Sequence, residues 1–174
     1  MGKHIKVYLS IPYNIYKDTS EMTDAVKSAK SYIRKFLWGK DYKVAYDSPF
    51  EAWNYNDETG DSITFYFSDS AGKNSVGVNR IRVPGTADGP LYIFGNNIQN
   101  MALCDAVFFM PGYDRTTDCI FEYSIACMHN RPVELCPGAN DTISFSADNN
   151  DNLRFVETET DLNTKSEIID RDDI

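Results

Sequence analysis

Short apolar runs alternate along the chain with longer stretches in which apolar residues recur every three or four positions. Ile5–Ile11 is a continuous apolar run of strand length, the signature of a strand buried on both faces. From about Ser20 to Leu37, the residues Met22, Ala25, Val26, Ala29, Ile33, Phe36 and Leu37 follow helical spacing. Thr19 or Ser20 is placed to cap that helix, and Gly39 to stop it. Tyr42–Tyr46 reads as a second strand, ended by Ser48 and Pro49. Ser62–Asp69 and Val76–Val83 read as two strands around a Gly- and Asn-containing turn, a hairpin inserted at about residues 51–95. The pattern then predicts a short helix over Asn96–Leu103, a strand over Ala106–Met110, a helix from about Thr117 to Met128 and a strand over Val133–Cys136. Thr142–Ala147 and Leu153–Glu157 suggest one or two further strands.

Alternating strands and helices imply an α/β fold, a mostly parallel sheet with helices on both faces. The expectation is a flavodoxin- or Rossmann-like three-layer sandwich with five strands and a hairpin-type insertion. Residues 1–160 would form a single domain and 161–174 an acidic tail. In such sheets ligands bind beyond the carboxyl ends of the strands, where the strand order reverses. Two turns meet that description, Ser10–Tyr13 and Pro111–Thr117, and Glu122 follows the second of them on a helix.

Composition narrows the classes. The 174 residues carry a formal charge of −9, and from Glu157 to the end seven acids against two bases leave −5 in the tail. An acidic chain without a basic stripe argues against a nucleic-acid polymer as partner. No apolar run approaches the roughly 20 residues that span a bilayer. The N-terminal run is too short for a secretory signal, so the expected location is the cytoplasm. Cys104, Cys119, Cys127 and Cys136 form no CxxC pair, which reads as reduced thiols without a metal site. The GxGxxG dinucleotide fingerprint is absent, and no cofactor is expected.

The segments KVYLSIPY (Lys6–Tyr13) and NNIQNMALCDAVFFMPGYDRTTDCIFEYSIA (from Asn96) resemble the nucleoside 2-deoxyribosyltransferase superfamily. Within it, the closest likeness is to small deoxyribosyltransferase-like proteins of bacteria and phages. The shared features are a Cys-Asp-Ala strand start, a Pro-Gly-aromatic turn and a glutamate early in the next helix. About a quarter of the chain is covered. The resemblance implies that Glu122 is a nucleophile that attacks the anomeric carbon of a (deoxy)ribosyl group. A facing carboxylate stabilises the oxocarbenium-like transition state, and water or a second base resolves the glycosyl-enzyme. The plain alternative is a helix-start acid favoured by the macrodipole.

Tyr8 matches the family's first-strand tyrosine, whose hydroxyl orients the nucleophile. The family's base-contacting aspartate is replaced here by Asn97, an amide that can hydrogen-bond a base but not protonate it. Thr116 stands where nucleoside transferases carry aspartate and nucleotide glycosidases carry serine. A hydroxyl at a helix start suits a phosphate, with Arg115 as a possible assistant. Ser10, Tyr13 and Tyr113 border the two turns as candidate substrate contacts. Asp118 is a further one, although the helix N-cap is its better-supported role. Asp105 reads as structural, and His4 and His129 as surface residues.

The expected partner is thus a small nucleoside or nucleotide, and the resemblance implies a homo-oligomer. Two functions stay open: cleavage or transfer at an N-glycosidic bond, and a non-catalytic nucleotide-binding module on the same fold. An enzyme acting on another N-ribosyl compound is a third, minor option.

Overall fold

The structure is a computed structural model, and it describes residues 2–42, 44, 48–69, 90–139, 144–147 and 153–156. Strand β1 (His4–Ser10) is followed by helix α1 (Thr19–Trp38), strands β2 (Trp53–Tyr55) and β3 (Ser62–Phe67), and helix α2 (Pro90–Ala102). Strand β4 (Ala106–Phe109), helix α3 (Thr117–Met128) and strand β5 (Val133–Leu135) complete the first compact unit, Met1–Ala139. In the second unit, Asn140–Ile174, β6 (Ser144–Ala147) and β7 (Leu153–Val156) pair antiparallel, Phe145 opposite Phe155.

The main sheet has five strands in the order β2-β3-β1-β4-β5. Strands β3, β1, β4 and β5 are parallel, and β2 closes one edge antiparallel to β3. After β1 the chain moves to one side of it to build β3, then crosses to the other side for β4. The strand order therefore reverses between β1 and β4, and a crevice opens there at the carboxyl ends of these strands.

Alternation along β1 divides the two faces of the sheet. Val7, Leu9 and Ile11 pack with Phe108 and Met110 against Met22, Val26, Ala29 and Ile33 of α1. Tyr8 and Ser10 point the other way, toward α3, as does Phe109, whose ring meets Tyr123 at 5.2 Å. Helix α2 lies beside α3, with Phe94 and Phe121 in edge contact at 6.1 Å.

The periodic helix α1 forms as its pattern predicts, but Asp18 caps it in place of Thr19 or Ser20. Its carboxylate accepts from the Glu21 N–H at 2.9 Å, an interaction worth about 1 kcal/mol. Gly39 ends the helix in the left-handed conformation.

Helix α2 starts at Pro90, six residues before the expected start at Asn96. Proline suits a first helical position, whereas the apolar run after it and Gly95 hide the helical period.

The strand expected over Tyr42–Tyr46 falls partly outside the described residues. Tyr42 and Val44, which are described, lie in no strand. Tyr42 instead packs edge-on against Trp38 at 4.8 Å and accepts a hydrogen bond from Asn56 at 2.6 Å.

Ser62–Phe67 pairs in parallel with β1 as a central strand of the main sheet, and its hairpin partner there is β2. The strand expected at Val76–Val83 and the acidic tail at 161–174 lie outside the described residues.

Candidate active site

The turn after β4 sets the start of α3. Gly112 adopts φ +88°, a conformation that side chains rarely take, and a single 3-10 turn at Tyr113–Arg115 leads into the helix. Thr116 is the N-cap residue, not Asp118, which sits in the first turn. In the second turn of α3, Glu122 shares a buried face with Cys119, Tyr123 and Ala126 and points at β1.

Both carboxyl oxygens of Glu122 are held. Tyr8 Oη donates to Oε1 at 3.0 Å, and Ser10 Oγ donates to Oε2 at 2.6 Å. All three side chains have no exposed surface. Burial pushes the Glu122 carboxyl up to about 7, against the pull of the Ser10 and Tyr8 hydroxyls. The charge of Asp118 adds to the rise, and a hydrogen bond from Asn97 opposes it. Burial, and then the neighbouring Glu122, hold the Tyr8 phenol well above its ordinary value. It therefore remains a hydrogen-bond donor.

A helix-start acid serving the macrodipole is a poor description of this residue, because that effect falls off within the first turn and Glu122 stands in the second. A buried carboxylate costs stability unless it is hydrogen-bonded or paired, and the Tyr8 and Ser10 hydroxyls offset part of that cost.

Glu122 lies on the wall of a cleft of about 290 Å3 at the β1/β4 switch point. Tyr13, Asn97, Thr116 and Asp118 line it too. The Tyr13 hydroxyl donates to the Ser68 carbonyl at 2.6 Å, so its ring borders the cleft while its hydroxyl fixes the end of β3.

Asn97 is clamped to the backbone of Asp69. Its oxygen accepts from the Asp69 N–H and its nitrogen donates to the Asp69 carbonyl, both at 2.9 Å. The Thr116 hydroxyl makes no capping bond, is buried and has no hydrogen-bond partner.

Three expected substrate contacts are placed differently. Ser10 is spent on Glu122 and orients it. Tyr113 is fully buried in an aromatic cluster with Phe109 and Tyr123, away from the cleft lining. Arg115 is exposed and does not line the cleft.

Ser68, Asp69, Asn14 and Cys119 line the cleft without having been singled out from sequence. Ser68 and Asp69 follow β3, and a parallel strand beside β1 delivers its carboxyl end to this crevice. Reading β3 as part of an insertion hid that. Burial pushes the Cys119 thiol far up, with the Glu122 charge adding to the rise, so it is no thiolate nucleophile.

Asp105 is structural as expected: its carboxylate accepts from the Lys6 N–H at 2.8 Å and ties the start of β4 to β1. A second pocket, almost wholly apolar, lies between Tyr16, Ala29, Tyr32, Met110 and Cys136 and offers no comparable polar constellation.

No protein-family model matches the chain, and neither does a curated protein nor a solved structure.

Proposed function

We propose that this chain cleaves or transfers at the N-glycosidic bond of a (deoxy)nucleoside or nucleoside 5′-monophosphate, with Glu122 as nucleophile. The corresponding framework is the three-layer Rossmann-like sandwich of the nucleoside 2-deoxyribosyltransferase superfamily. One observation carries the reading: a fully buried glutamate at the switch-point cleft, gripped on both oxygens by hydroxyls of a single strand.

That grip fixes the carboxylate before substrate arrives, so little reorganisation accompanies attack on the anomeric carbon. The low-polarity surroundings that raise its proton affinity also strengthen its attraction for an oxocarbenium-like sugar. Thr116 offers an uncommitted hydroxyl at the helix start for a sugar or phosphate oxygen. A self-association of the chain belongs to the same proposal.

The test is chromatography of the protein incubated with a panel of nucleosides and 5′-monophosphates, with and without an added acceptor base. Release or exchange of base is expected, and Glu122→Gln should lower it at least a thousandfold with the circular dichroism unchanged. Undiminished turnover by that variant would sink the proposal.

A second reading, binding without cleavage, is favoured by Asn97, whose amide engages Asp69 and carries no proton for a departing base. It predicts a ligand that raises the melting temperature and is recovered intact.

A further inference from the structure

The base of a neutral N-glycoside leaves as an unstable anion unless an acid protonates the departing ring. The cleft is poorly equipped for that step. Asn97 is an amide tied to the Asp69 backbone through both of its ends. Glu122 is committed as nucleophile and accepts from Tyr8 and Ser10. Asp118 stands at the exposed rim, away from the buried floor that Glu122 and Asn97 form.

Charge points the same way. Among the described residues, the cleft lining contains Asp69, Asp118 and Glu122 and no lysine, arginine or histidine. A cleft lined by one sign of charge concentrates the opposite sign, and the chain as a whole carries −9. Thr116 also lines this space, and its buried hydroxyl has no hydrogen-bond partner.

We infer that the cleft takes N-glycosides whose heterocycle already carries a positive charge, such as N-ribosylpyridinium or N7-alkylpurine nucleosides, in preference to their 5′-phosphates. This rests on the reading of Glu122 as nucleophile.

In the first step the bond from the anomeric carbon to nitrogen breaks, and its electron pair neutralises the cationic ring. The anomeric carbon bonds to a Glu122 oxygen. Water then attacks that carbon, the electron pair of the ester bond returns to the carboxylate, and one water proton passes to solvent. No proton is needed at the departing nitrogen, and one is released per turnover. Asn97 is then no defect. A cation next to Glu122 also favours its ionised form, offsetting the rise to about 7 that burial imposes.

The experiment compares nicotinamide riboside and 7-methylguanosine with guanosine and with the 5′-monophosphates of the two cationic nucleosides. Each kcat/KM is divided by the uncatalysed hydrolysis rate of the same compound. Wild type, Glu122→Gln and Asp118→Asn are assayed side by side, with a pH-stat counting protons. At least a tenfold preference for the two cationic nucleosides is expected, with one proton released per base. Asp118→Asn should raise KM for the cations severalfold more than it raises KM for guanosine.

Equal or better handling of guanosine or the monophosphates, with Glu122→Gln inactive, would overturn the inference and leave the glycosidase reading standing. Absence of cleavage of every compound, or equal rates in wild type and Glu122→Gln, would remove both.

Discussion

The proton on Glu122 ties the site to the stability of the fold. In the unfolded chain this carboxyl has an ordinary value near 4.5, whereas burial raises it to about 7 in the folded protein. Between these values the folded state keeps a proton that the unfolded state has released. Stability therefore falls as pH rises from about 4.5 to about 7, and above that the full cost of the buried charge stands. The shift corresponds to roughly 3 kcal/mol. Glu122→Gln should accordingly be more stable than wild type at pH 8, with an advantage that shrinks toward pH 4.5. Urea unfolding at several pH values measures this, and a difference independent of pH would contradict it. Part of this site is legible in the sequence: the alternation of strands and helices puts Glu122 and Tyr8 on elements bordering the crevice, whereas their pairing is implied only by the family resemblance. Ser10, Tyr113 and Arg115 are not legible in this way. Sequence places each beside a turn, whereas direction decides the role: Ser10 turns inward to Glu122, Tyr113 into an aromatic cluster, and Arg115 out to solvent.

At the level of elements, the junction between β4 and α3 aims Glu122. Gly112 holds φ +88°, and a Cβ added there would run into the side chain of Ile15. Gly112→Ala should cost about 1–3 kcal/mol. It should also lower activity more than that loss of stability explains, because any shift of the turn displaces the start of α3. Thermal melts and turnover measured on the same preparation separate the two effects. The periodic helix α1 is readable from spacing alone. The start of α2 is not, because an apolar run and Gly95 interrupt its period. β3 is readable as a strand but not as a neighbour of β1, since a short apolar run carries no record of its partner.

For the whole molecule, the alternation of strands and helices anticipates a mostly parallel sheet, while the order β2-β3-β1-β4-β5 emerges only from long-range pairing. Phe121 and Met128, seven residues apart on one face of α3, are 48% and 55% exposed. If the chain self-associates through this face, sedimentation should give a mass above the 19.7 kDa of one chain, and Phe121→Asp should return it to that value. A monomeric wild type would refute the association. The two-residue rhythm of β1 also limits how the length of such a chain can drift over generations. Tyr8 and Ser10 serve Glu122 from one face while Val7 and Leu9 fill the core on the other. One codon gained or lost between Tyr8 and Ser10 would turn one hydroxyl toward α1, leaving half of the carboxyl unheld and a polar group in the core. Ahead of His4 the same event would leave this face untouched. Descendants that keep the chemistry should therefore vary hardly at all in length within the first strand.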